Sequence, residues 1–216
     1  MSWDLSLHVL TDESVPLDRL PDVVDAAVTG GATVIQLRAK HADAAEIVRQ
    51  AVQLSDVIAG RAAFVIDDRL DAALAAIDAS ARVDGVHLGQ SDVPPTLARR
   101  LLGPDALIGW TANTLEHFAA AAAFPEGTID YLGVGVIRPT ATKKNHPEAL
   151  GVDGFGKLIT HTQFPCIAIG GVHTDNTADL IRAGGAGIAV VSAVCAAPDP
   201  LAATRAFRSE IDGVLR

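Results

Sequence analysis

Short runs of β-branched and other apolar residues alternate along the chain with longer segments whose apolar positions recur at helical spacing. The runs predict strands over residues 7–11, 34–38, 63–67, 85–87, 107–111, 131–134, 166–169 and 187–191. Six of them carry the apolar density of strands covered on both faces; the run at 85–87 is the weakest. Between the runs the spacing predicts helices over 17–29, 42–59, 70–77, 94–102, 115–123, 152–161, 174–183 and 199–214. In the first, Leu20, Val23, Val24 and Ala27 share a face; in the second, Ile47, Val48, Ala51, Leu54 and Ile58 do. Thr174 and Asp175 read as N-caps, and Gly30 and Gly184 stand where a helix end favours a left-handed residue.

Eight strand–helix units imply a parallel sheet, either closed or open. An open sheet usually carries a glycine-rich phosphate loop after its first strand. Here that strand runs into Thr11-Asp12-Glu13-Ser14, without glycine. The expected fold is therefore α/β, a (β/α)8 TIM barrel, forming one domain over residues 1–216. Hydrophobic residues make up 49% of the chain, enough for a large core. Cys166 and Cys195 stand far apart with no partner pattern, which suits a reducing compartment. No signal peptide is read at the N-terminus, and no apolar run approaches the roughly 20 residues of a membrane helix. A cytoplasmic location is expected. The net charge of −9 argues against a nucleic-acid partner and draws attention to local clusters of cations. A homodimer is left open.

Barrel active sites lie at the C-terminal strand ends. Gln36, Arg38 and Lys40 alternate there, so a strand would point them to one face. Such a set suits an anion rich in oxygens, since arginine grips phosphate through a planar fork. The same residues could instead form a salt-bridge layer with Asp67 and Asp68. Asp68 and Asp92 are candidate magnesium ligands, because that ion takes one or two carboxylates and fills its shell with water and phosphate. Asp92 could equally cap the helix that starts near Pro94. Gly170-Gly171 and Ser192 make a second anion signal, on the loops after the seventh and eighth runs that often bind phosphate in barrels, and Thr140 and Thr142 could add donors. His87 could face the site or sit in the core. The irregular stretch from 137 to about 150 is long enough to suggest function.

The ordered motifs Gln36-Leu37-Arg38-Ala39-Lys40, Asp67-Asp68-Arg69, His87-Leu88-Gly89-Gln90-Ser91-Asp92, Pro139-Thr140-Ala141-Thr142-Lys143-Lys144 and Ile169-Gly170-Gly171 resemble the thiamine phosphate synthase family. The resemblance runs from Leu7 to about Phe207. It implies a barrel transferase that joins a hydroxymethylpyrimidine diphosphate to a thiazole phosphate and releases pyrophosphate. It implies that Gln36, Arg38, Lys40, Asp67, Thr111 and Lys143 hold the pyrimidine diphosphate, with Arg38, Lys40 and Lys143 as the catalytic cations. It further implies that Thr140, Thr142, Gly171, Val191 and Ser192 hold the thiazole phosphate, and that Asp68 and Asp92 hold magnesium. The chain departs from the family at three places. Asp67 stands for an asparagine, His8 for a tyrosine, and Thr111-Ala112-Asn113 for a serine-x-histidine. Two other readings follow from these departures: a thiazole tautomerase-like paralogue, and a non-catalytic barrel that binds thiamine phosphate. The tautomerase subgroup lacks the aspartate of Gly89-Gln90-Ser91-Asp92 and carries histidine where Asn113 stands.

Overall fold

A computed structural model describes residues 3–139 and 148–215. Eight parallel strands close into a barrel in sequence order. They are β1 (Leu7–Leu10), β2 (Val34–Leu37), β3 (Ala63–Asp67), β4 (Gly85–Leu88), β5 (Leu107–Thr111), β6 (Tyr131–Gly135), β7 (Cys166–Ile169) and β8 (Gly187–Val190). The connecting helices are α1 (Leu20–Thr29), α2 (Ala44–Ile58), α3 (Leu70–Asp78), α4 (Pro95–Leu102), α5 (Leu115–Ala122), α6 (Gly151–Ile159) and α7 (Thr174–Arg182). The chain finishes with α8 (Ser192–Cys195) and α9 (Pro200–Leu215). The one-turn helix α8 was not expected, because four residues are too few to show a helical period. No described helix is long and apolar enough to cross a membrane.

Two apolar layers hold the barrel. Outward-facing strand residues such as Val9, Ile35, Phe64 and Ile66 join the inner faces of the helices in the larger core. Inward residues, among them Leu10, Val34, Val65, Leu107 and Ile167, fill the interior. Helix α2 illustrates the local logic. Ile47, Ala51, Leu54 and Ile58 are buried, and Asp43 starts the helix by accepting the Glu46 N–H at 2.8 Å. A cap of this kind contributes about 1 kcal/mol.

Two expected helix ends are corrected. Gly30 is right-handed at φ −77°, and Gly31, at φ +103°, takes the left-handed turn. Gly30 is small for another reason: a Cβ there would lie 2.6 Å from Thr204 on α9. The N-cap of α7 is His173, one residue before the expected caps. Asn176 reaches back to accept the His173 N–H at 2.9 Å, which leaves Asp175 to pair with Arg138 at 3.0 Å.

Candidate active site

The barrel opens at its C-terminal end into a cavity of about 640 Å³. One side holds the cations. Strand β2 stops at Leu37, so Arg38 and Lys40 lie beyond it, yet both reach the cavity together with Gln36. The end of β1 fixes this turn. Thr11 Oγ1 accepts the Arg38 N–H at 2.8 Å and donates to the Arg38 carbonyl at 3.2 Å.

Asp67 faces these cations from β3. Its carboxylate accepts a hydrogen bond from Gln36 Nε2 and lies 4.0 Å from Arg38 Nε and 3.5 Å from Lys40 Nζ. Lys40 also pairs with Asp68. The salt-bridge layer is therefore present, built from the same residues that an anion would need. Burial and the adjacent Asp68 push the Asp67 carboxyl up to about 6, against the pull of Lys40, Arg38 and Gln36. Burial disfavours the Lys40 ammonium, but Asp67 and Asp68 outweigh it and raise its pKa.

Asp68 has φ +61°, a left-handed conformation that aspartate tolerates at a cost. Its carboxylate stands within hydrogen-bonding reach of Asp92. Asp92 does not cap α4; it closes its own turn by accepting the Gly89 N–H at 2.6 Å. Burial raises the Asp92 pKa and the negative charge of Asp68 adds to it, while the Gly89 N–H opposes the shift. Two mutually repelling carboxylates at one cavity edge form a donor set that a divalent cation would relieve. Among the described residues no group of three or more such ligands forms.

The opposite wall comes from β7 and β8. Gly170 and Gly171 turn at φ +85° and +71°. A Cβ on Gly171 would lie 2.6 Å from the Arg138 carbonyl, so the backbone passes where a side chain could not. Val191 and Ser192 complete this wall, with Ser192 opening α8. The sequence-derived residues Gln36, Arg38, Lys40, Asp67, Asp68, Asp92, Thr111, Gly171, Val191 and Ser192 all line the one cavity. Thr140, Thr142 and Lys143 lie outside the described residues.

The floor was the least legible part. Asp67, His87, Gly109 and Tyr131 are register partners across β3 to β6. His87 is both core and site: it lines the cavity, and its ring nitrogens lie 3.0 Å from Tyr131 Oη and 3.0 Å from Thr111 Oγ1. Gln90 Nε2 donates to the Thr111 carbonyl, and Asn113 Oδ1 accepts the Gly135 N–H at 3.1 Å. Glycines 109 and 133, sitting inside strands, were the available signal, since interior strand glycine marks close approach.

The family model for thiamine monophosphate synthase matches residues 7–194. A thiamine-phosphate synthase of Albidiferax ferrireducens is 44% identical over 212 residues, covering 97% of this chain and 93% of the relative. One of Chloroflexus aurantiacus is 44% identical over 208 residues, covering 95% and 92%. Among solved structures, a thiamine phosphate pyrophosphorylase from Pyrococcus furiosus superposes with a TM-score of 0.83 at 34% identity, covering 99% of this chain and 98% of that one.

Proposed function

The chain belongs to the thiamine monophosphate synthase family, and we propose that its barrel mouth joins a pyrimidine diphosphate to a thiazole phosphate with release of pyrophosphate. The observation that carries this reading is one cavity with two unlike walls. Gln36, Arg38, Lys40 and the Asp68–Asp92 pair stand on one side, and the Gly171–Ser192 wall stands on the other. Two phosphate-bearing substrates can then lie side by side with their reacting ends over the His87–Thr111 floor.

Arg38 and Lys40 hold the diphosphate and stabilise the charge that develops on it as the carbon–oxygen bond breaks. Both are already ordered by Asp67 in the free protein, so little side-chain entropy is lost on binding. Thr111 orients the pyrimidine, and Gly171, Val191 and Ser192 hold the thiazole phosphate by backbone and hydroxyl donors. By the family resemblance, Lys143 is assigned to the first group and Thr140 and Thr142 to the second, all three outside the described residues. Asp68 and Asp92 would hold magnesium, which when bound supplies positive charge to the leaving diphosphate. The attacking thiazole nitrogen has no proton to lose, so no general base is needed. The work lies in positioning and electrostatics.

The test is incubation with both substrates and magnesium, followed by oxidation of any thiamine phosphate to its fluorescent thiochrome form. Product and pyrophosphate should appear in equal amounts. Binding of both substrates without product would overturn the reading in favour of a non-catalytic barrel.

A further inference from the structure

Tyr131 is fully buried, and among the described residues the hydrogen-bond partner of its hydroxyl is His87 Nδ1, at 3.0 Å. A buried O–H without an acceptor is costly, so this proton goes to Nδ1. The phenol has the proton to give. Burial, with the negative charges of Asp67 and Asp130, pushes its pKa well above the ordinary value. An Nδ1 that accepts carries no hydrogen, and the neutral ring then carries its proton on Nε2. Nε2 lies 3.0 Å from Thr111 Oγ1 and donates to it. The Thr111 hydroxyl has thereby received a hydrogen bond and keeps its own proton to donate, and Thr111 lines the cavity.

We propose that Tyr131 and His87 act as positioning residues that fix the Thr111 hydroxyl as a donor, aimed at an acceptor ring nitrogen of the bound pyrimidine. This rests on the functional reading above. The opposite relay, with the proton on Nδ1, would make Thr111 an acceptor suited to an exocyclic amino group and would strand the Tyr131 proton. The barrel is shaped around the pair. A Cβ on Gly109 would lie 2.2 Å from Tyr131 Cζ and 2.5 Å from His87 Nδ1, and one on Gly133 would lie 2.9 Å from His87 Cε1. Two strands thus give up side chains at the positions where the relay passes.

Nitrogen NMR of the full chain with labelled histidine rings reads the tautomer directly. The expected result is His87 protonated on Nε2, with Tyr131→Phe freeing the ring to place its proton on Nδ1. Binding is measured in parallel with the pyrimidine diphosphate and with inorganic pyrophosphate as probes. Thr111→Val should weaken the first roughly tenfold or more and leave the second unchanged, while Thr111→Ser restores binding. A wild-type His87 protonated on Nδ1, or equal loss of both ligands in Thr111→Val, overturns the relay. Failure of the wild-type chain to bind the pyrimidine diphosphate at all sinks the functional reading, and with it the aim of the hydroxyl. The tautomer needs no variant, so a Tyr131→Phe chain that fails to fold does not shield the idea.

Discussion

Lys40 Nζ stands 3.5 Å from Asp67 and also pairs with Asp68, so one ammonium bridges two carboxylates at the end of β3. The cations of the site are thus held by acids before any substrate arrives. On the proposed reading a diphosphate draws Arg38 and Lys40 toward itself, and Asp67 is then left beside a second anion. Asp67 is also the residue that departs from the family's asparagine.

Asp67→Asn should tighten pyrimidine diphosphate binding or leave it unchanged, and turnover should persist. The amide oxygen can still accept from Gln36, and the repulsion is gone. Stability gives a second readout. The Asp67 pKa is raised from 3.8 to about 6, so its favourable contribution is full below the lower value and is lost as pH rises through the upper one. Relative to the variant, the wild type should lose stability as pH rises through that window. Melting curves of both chains at several pH values check this. A large loss of diphosphate affinity in the variant would instead mark Asp67 as a metal ligand.

Asp92→Ala should abolish most magnesium-dependent turnover while the fold persists. The side chain accepts the Gly89 N–H and stands within hydrogen-bonding reach of Asp68; loss of the first costs about 1 kcal/mol, and loss of the second relieves crowding of two acids. Turnover against magnesium concentration, beside a melting curve, separates the two effects. Near-normal activity with unchanged magnesium dependence would remove Asp92 from the metal site.

Six of the strands were legible because they are buried on both faces and read as apolar runs, whereas β4 is just as buried but carries Gly85 and His87, which weaken its pattern. The cationic motif was legible as chemistry, but its two meanings were not separable, since a salt-bridge layer and a diphosphate site recruit the same Arg38 and Lys40. Asp92 shows the same limit: a turn-closing aspartate and a helix cap look alike until the Gly89 N–H is seen to point at it. The Tyr131–His87–Thr111 relay was hidden altogether, because it joins β6, β4 and β5 and depends on the register that sets Gly109 between the two rings.

Arg38→Ala should weaken pyrimidine diphosphate binding by about 1.5–3 kcal/mol, the range for a charged hydrogen-bond partner. Thiazole phosphate binding should change far less, since Gly171 and Ser192 stand on the opposite wall. Titration of each substrate alone measures the difference. Equal weakening would mean that the two sites share the arginine.

His8 lies in the barrel interior beneath the site. Its ring meets Tyr131 edge-on, with centroids 5.1 Å apart at 68°, and its Nε2 has no partner among the described residues. Burial, aided by the nearby His87, lowers its pKa from 6.5 to about 3, against the opposing pull of Asp4 and the Leu5 carbonyl. The folded chain therefore keeps His8 neutral while the unfolded chain takes up a proton. Stability from this group is whole above 6.5 and is lost as pH falls toward 3, at about 1.4 kcal/mol per unit. His8→Phe keeps a ring against Tyr131 and cannot be protonated. At neutral pH the variant loses the hydrogen bond to the Leu5 carbonyl but also sheds the orphan Nε2, and these offset to within about 1 kcal/mol. In acid the two chains should part, with the wild type losing stability faster. Melting temperatures measured from neutral to acid pH decide it, and parallel curves would show that His8 is solvated or partnered in the folded chain.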